Sequence, residues 1–281
     1  MRSRTLVPAI ALLLPAVASA APLFHAVGWD GTFVHLDGDS GQVGPTRDDM
    51  PEHLQALARA PDGEHYAVCS YVIGGDAEIY RIDPQAGDLV FEVSVAADVR
   101  GMAFSPSGEL YVSHFVSIGH DLSVVDLDDG SLTTIGSFNG ATVVVQGLAF
   151  SPEGILYGVS PTGSAATRLI TIDLDDAETH LIATIDVGVH QSLAFTPGGD
   201  LYAVGGTSNG VFARLDPLTG EILGPVFDVL DVDLRGLEYI SQGPSGSVPA
   251  LSSWGALSMG GVLLAAGVIL LRRRPTARPT P

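Results

Sequence analysis

The chain has 281 residues, 46% apolar, 16% charged and 7% aromatic. With 34 glycines and 18 prolines it is too apolar for a disordered polymer and too rich in breakers for long helices. Its basic residues are 13 arginines with no lysine, six of them in the two tails. All 32 acidic residues lie between the tails. Seven arginines against those acids leave the middle of the chain at a formal −25, a surface that repels phosphate backbones and excludes nucleic acid as a partner. At the N-terminus, Arg2 and Arg4 precede an apolar run over 6–17 and the A-x-A cleavage site Ala18-Ser19-Ala20, the three parts of a secretory signal peptide over 1–20. Ser3 separates the arginines and no cysteine lies near the cleavage point, which argues against a twin-arginine route and a lipoprotein anchor.

After the signal, one unit recurs. Arg100-Gly101-Met102-Ala103-Phe104-Ser105-Pro106-Ser107-Gly108-Glu109-Leu110-Tyr111 returns at 146–157, at 191–202 and more loosely at 55–66, with Pro61, Pro106, Pro152 and Pro197 in register. A second column follows each copy: Ile82-Asp83-Pro84, Val125-Asp126-Leu127, Ile172-Asp173-Leu174 and Leu215-Asp216-Pro217. Leu36-Asp37-Gly38 is a fifth copy with no first column before it. The missing partner stands at the far end, as Arg235-Gly236-Leu237-Glu238-Tyr239. In the unit beginning at Arg100, runs at 101–104, 110–113, 122–127 and 132–138 read as strands split by tight turns. Four strands in about 45 residues is the size of one propeller blade. The sequence therefore predicts an all-β, five-bladed β-propeller over 21–243. Its first blade is closed by residues 235–239 as the inner strand, with 23–43 supplying the other three. The Ser-Pro-x-Gly and Ile-Asp-Pro-x-x-Gly turns resemble those of the bacterial propellers that include the YVTN and NHL repeat proteins, a resemblance that implies the fold and no particular activity. An open β-solenoid or split sandwich is the alternative. The permuted ends disfavour it, because closure removes an edge that an open array must cap.

Several patterns look chemical. Gly38-Asp39-Ser40-Gly41 matches the string around a trypsin-like nucleophile, but it occupies the same turn as Asp126–Gly130 and Asp216–Gly220, where aspartate and glycine serve the backbone. The carboxylates of this column (Asp37, Asp39, Asp126, Asp128, Asp129, Asp173, Asp175 and Asp176) suit solvated turns and admit calcium as the one cofactor, although no copy has EF-hand spacing. The eight histidines lack ligand spacing, so no metal ligands are assigned; His114 and His120 share a loop. Cys69 is the lone cysteine, read as a buried thiol. Each inner strand opens on Gln55, Arg100, Gln146, Gln191 or Arg235, which ring one channel mouth, followed by the small column Ala56, Gly101, Gly147, Ser192 and Gly236. The loops of that mouth carry Trp29, Tyr71, His114, Phe115 and His120. Donors beside aromatics can hold an anion, a sugar or a peptide carboxylate, and the same donors can equally hydrogen-bond neighbouring blades.

At the C-terminus, a polar spacer over 241–247 leads to Val248-Pro249-Ala250-Leu251-Ser252-Ser253-Trp254-Gly255, an apolar stretch at 256–271 and Arg272-Arg273-Arg274. The hydrophobic segment is long enough to span a bilayer as a helix, with the arginines staying cytoplasmic. Pro249, Leu251, Ser252, Trp254 and Gly255, followed by a span and an arginine cluster, resemble the IPTL-CTERM sorting signal, a relative of PEP-CTERM tails. The resemblance covers residues 248–274, with Val248 where the family usually has isoleucine. It makes 244–281 a sorting segment and implies an exosortase-type enzyme as partner, an inner-membrane precursor, and delivery to the cell surface or beyond; a permanent anchor is the alternative. The function expected from sequence is a non-enzymatic binding or interaction module. A propeller hydrolase or lactonase and a ligand-free structural matrix protein are the alternatives. The hydrolase is disfavoured because the mouth is ringed by Gln and Arg, with only Asp98 and Asp233 beside it.

Overall fold

Alternation of apolar and polar residues between glycine-bearing turns gives strands throughout. The computed structural model describes residues 21–242, except 45–46, 71–74, 84–85, 118, 139–142, 163–165, 187, 189 and 207–209. The signal peptide, Tyr71, the sorting motif, the expected span and the arginine cluster lie outside the described residues. No helix among the described residues is long and apolar enough to cross a membrane. The first blade begins with β1 (Pro22–Gly28) and β2 (Phe33–Asp37). The second holds β3 (Leu54–Arg59), β4 (His65–Ser70), β5 (Ala77–Ile82) and β6 (Leu89–Val95). The third holds β7 (Asp98–Phe104), β8 (Leu110–Phe115), β9 (His120–Val125) and β10 (Leu132–Ser137). The fourth holds β11 (Gly147–Phe150), β12 (Leu156–Pro161), β13 (Thr167–Ile172) and β14 (Thr179–Ile185). The fifth holds β15 (His190–Phe195), β16 (Leu201–Gly205), β17 (Gly210–Leu215) and β18 (Phe227–Leu230). The last strand, β19 (Leu234–Gln242), returns to the first blade and pairs antiparallel with β1, giving the order β19-β1-β2.

The inner strands β3, β7, β11, β15 and β19 each touch the next, and β19 touches β3, so the ring is closed. The small column makes that approach possible. A Cβ on Gly101 would lie 2.6 Å from the Gln146 carbonyl oxygen, and one on Gly147 would lie 2.6 Å from that of Gln191. The first blade differs from expectation in having three strands rather than four. Where a fourth was expected, the isolated bridges Leu36↔Val43 and Phe33↔Arg47 are the only pairings among the described residues.

Both turn columns have one mechanism each. In the Ser-Pro-x-Gly turn the glycine N–H donates back to the residue before the proline, as from Gly108 to the Ser105 carbonyl at 3.0 Å. In the aspartate turn the N–H four residues on donates to the aspartate carbonyl, while its side chain accepts from the intervening N–H groups, as Asp216 Oδ1 does from Leu218 at 2.8 Å and Thr219 at 3.1 Å. Ser40 belongs to such a turn and donates its hydroxyl to Asp37 at 2.8 Å. Between blades the core is apolar and partly aromatic. Tyr66 meets Phe104, Tyr111 meets Phe150 and Tyr157 meets Phe195, with ring centroids 5.1, 5.2 and 5.1 Å apart.

Candidate metal centre at the closing seam

Strand register turns the repeat into spatial columns. Ala58, Ala103, Ala149 and Ala194 on the inner strands sit opposite Tyr66, Tyr111, Tyr157 and Tyr202. In the closing blade the same pair is Glu238 opposite His25. One residue further, Phe104, Phe150 and Phe195 sit opposite Leu110, Leu156 and Leu201, whereas β3 and β4 place Arg59 opposite His65. Four departures from the repeat thus fall together where the first blade meets the second.

Three of them form a buried cluster. The ligand atoms of His25, His65 and Glu238 all lie within 4.8 Å of one another. His65 Nδ1 and Glu238 Oε1 are 2.6 Å apart, a hydrogen bond, and His25 Nε2 stands 3.6 Å from Glu238 Oε2. His25 is fully enclosed, its ring stacked 6.0 Å from that of His35 and edge-on to that of His65 at 5.5 Å. Both His25 nitrogens and Glu238 Oε2 are buried without a hydrogen-bond partner, a cost the apolar repeat residues would avoid. Burial pushes the Glu238 carboxyl up, against the pull of the His65 hydrogen bond, and pushes the His25 imidazole well down, helped by the neighbouring histidines. His25 is therefore neutral at pH 7, the form that ligates a metal. Two imidazoles and one carboxylate are the ligand set of catalytic zinc sites. The His25–Glu238 separation is close to the roughly 3.3 Å ligand–ligand edge of a tetrahedron with bonds of about 2.0–2.1 Å.

Glu238 also lines a cavity of about 370 Å³ at the end of the channel where the inner strands terminate. Its lining includes Phe104, Phe150, Phe195, Tyr239 and Arg59. The expectation of a non-enzymatic module without metal ligands is corrected here: His25, His65 and Glu238 form a buried cluster whose ligand atoms are placed to hold a metal ion, and Glu238 also lines a cavity of ligand size, an arrangement compatible with enzymatic activity. Sequence reading missed it because His25 and His65 lack ligand spacing and Glu238 lies 173 residues beyond His65. The signal was present as four broken columns.

The residues singled out from sequence occupy the opposite end. Gln191 Nε2 donates to Asp233 at 2.6 Å, Arg235 pairs with the same carboxylate at 2.5 Å, and Arg235 also reaches Gln55 Oε1 at 3.4 Å. Trp29 lies under the Arg235 guanidinium at 4.7 Å. Arg100 pairs with the buried Asp98, which also accepts from Ser70 at 2.8 Å. Gln146 is half-buried and donates its backbone N–H to Val159. His114 is held by Ser123 at 2.9 Å, and His120 by the Val145 carbonyl at 2.9 Å, with burial pushing His120 down to about 4. Phe115 sits edge-on to His120 at 6.0 Å. Cys69 is buried and donates to the Glu52 carbonyl at 3.0 Å.

No protein-family model and no curated relative matches the chain. Solved structures do. A nidogen/laminin complex is 14% identical over 80% of this chain and 100% of that one, with a TM-score of 0.51. TolB from Acinetobacter baumannii is 14% identical over 80% of this chain and 68% of that one, at 0.50. The periplasmic gluconolactonase of Pseudomonas aeruginosa is 15% identical over 80% and 100%, at 0.45. At such identities the likeness is one of fold.

Proposed function

We propose that this protein is an exported propeller hydrolase of esters or lactones, acting through a metal ion held by His25, His65 and Glu238. The observation that carries the reading is the orphaned polarity of the seam, two buried His25 nitrogens and a Glu238 oxygen without a hydrogen-bond partner, Glu238 itself lining a cavity. Held by His25, His65 and Glu238, a zinc ion would supply a nucleophilic water near neutral pH and would polarise a carbonyl. Water then adds to the acyl carbon, the acyl C–O bond breaks, and a carboxylate, an alcohol and one proton leave. The imidazoles favour a borderline ion over calcium, which takes six to eight oxygens. The test is elemental analysis and turnover of 4-nitrophenyl esters and γ-lactones by protein stripped with a chelator and reloaded with zinc or calcium. About one equivalent of zinc, with hydrolysis that returns on loading and is absent in Glu238→Gln, is expected. Protein that takes up no stoichiometric metal overturns the reading.

Delivery rests on the two ends of the chain. The signal at 1–20 exports the protein, and the tail over 248–274 is cut by an exosortase-type enzyme that releases it from the inner membrane. Trp254→Leu leaves the segment apolar and long enough to span, so a plain anchor would be indifferent to it. Intact mass from the native host should show the tail removed in wild type and retained in the variant; a wild-type mature protein still ending at Pro281 refutes processing.

A further inference from the structure

We infer that the molecule bound at this cavity carries an anionic group, taken by Arg59, and an apolar portion held by the aromatic rim: an amphipathic carboxylate, presented for hydrolysis as the anionic ester or lactone derivative. The inference rests on the hydrolase reading only for the fate of what is bound. Arg59 stands where three blades place phenylalanine, at the rim beside Glu238. The seven arginines of the domain are not equivalent. Arg47, Arg81, Arg100, Arg214 and Arg235 are each paired to a carboxylate at 2.5 to 2.7 Å. Among the described residues Arg59 and Arg168 make no ion pair, and of these two only Arg59 lines the cavity.

In a domain with so many acids, an exposed arginine that makes no direct ion pair is the exception; Arg59 acts on the buried Glu238 carboxyl only through its charge. The acidic field repels anionic polymers over long range, whereas a small anion inside the rim meets one fixed guanidinium at short range, where a bidentate contact outweighs screened charges. The opposite wall offers it no second cation. Phe104, Phe150, Phe195 and Tyr239, whose rings are largely engaged in the blade cores, line it instead and give it an apolar wall that suits an aryl or branched acyl group.

The experiment is calorimetric titration of the purified, zinc-loaded full-length protein with 1-naphthoate and with its neutral analogue 1-naphthamide. Naphthoate should bind about tenfold more tightly, the order of one charge-assisted contact. Arg59→Gln should abolish the preference, Arg59→Lys should keep part of it, and Arg168→Gln should leave it intact. Equal affinity for the two probes, or a preference that survives Arg59→Gln, overturns the inference. A preference that depends on Arg59 in a protein that hydrolyses neither mono-4-nitrophenyl glutarate nor 4-nitrophenyl butyrate supports the anion site and overturns the hydrolase reading. Turnover of the butyrate at or above the rate of the glutarate, with equal binding of the probes, does the reverse.

Discussion

Restoring the repeat across the closing seam separates a functional cluster from a structural one. His65 stands where three other blades bury Leu110, Leu156 and Leu201 to 1% exposure or less, and Glu238 stands where four others have alanine. The double variant His65→Leu with Glu238→Ala removes the carboxylate and its hydrogen-bond partner together, so neither is stranded. Replacing a buried ionic pair by well-packed apolar groups gains about 1–4 kcal/mol. The void left by the shorter alanine takes back about 24 cal/mol per Å³, or roughly 1 kcal/mol for 40 Å³ left unfilled. The net runs from no change to a stabilisation of about 3 kcal/mol, which in a domain of this size raises Tm by up to about 12 °C. The assay is calorimetric melting at pH 7.5 in excess chelator and again in zinc. In chelator the variant should melt at or above wild type. In zinc at a hundred times Kd, wild type should gain about 2.7 kcal/mol and the variant nothing. A variant destabilised by more than about 1 kcal/mol in chelator would show that the cluster is a net stabilising network, and the metal reading would lose its main support.

Three other outcomes follow from the same geometry. A chain ending at Asp233 loses all of β19 and should elute as aggregate in size-exclusion chromatography, whereas one ending at Gly243 should remain monomeric; a monomeric, cooperatively melting short form refutes closure through β19. Arg100→Gln breaks the ion pair of the buried Asp98 and should cost about 3 kcal/mol in urea unfolding, while a neutral result would free Arg100 for a ligand role. Burial holds His120 and His190 down at about 4 against an ordinary 6.5, and His25 is lowered too. Folded values below unfolded ones give stability that is present above pH 6.5 and lost as pH falls towards 4, up to about 3 kcal/mol for each of His120 and His190. The raised Glu238 acts with the opposite sign, so the measurement is best made in Glu238→Gln, where a flat unfolding free energy between pH 6.5 and 4 would refute the burial of these rings.

The propeller was legible because its demands fall on the backbone and recur. A left-handed residue after Ser105-Pro106-Ser107 must be glycine-like, and Gly108 has φ 95°. Inner strands that nearly touch must be small at one position, and Gly101 and Gly147 are. Even the permuted closing strand could be read, because Arg235–Tyr239 keeps the spacing of the column it completes. Less was legible where a single blade departs from the rule. Ala177 takes the turn position glycine holds elsewhere, at φ 64°, and the first blade's outer edge reduces to two bridges. Gln55, Arg100, Gln191 and Arg235 lie on inner strands and Gln146 immediately precedes one, but their charges cannot be known from one column: Asp98 and Asp233, just outside it, turn two free-looking arginines into ion pairs. The cluster was hidden for the opposite reason. Its residues obey no local spacing, and only register shows that histidine, histidine, glutamate and arginine replace tyrosine, leucine, alanine and phenylalanine at one seam.

That the departures share one seam has a physical reason. Three seams are clasped by a tyrosine on one blade and a phenylalanine on the next, and each clasp contributes to holding neighbouring blades together. At the seam between the first and second blades, His25 and Arg59 occupy those two columns. The first blade is already fastened covalently distant end to end, because β19 pairs with β1 over seven residues and packs on both β15 and β3. With closure supplied by the backbone ladder, that seam can lose its aromatic clasp and carry buried polar groups at a cost the ring tolerates. A metal held there would join β1, β4 and β19, the first and last strands of the ring, so that loading the centre and keeping the ring closed become one equilibrium.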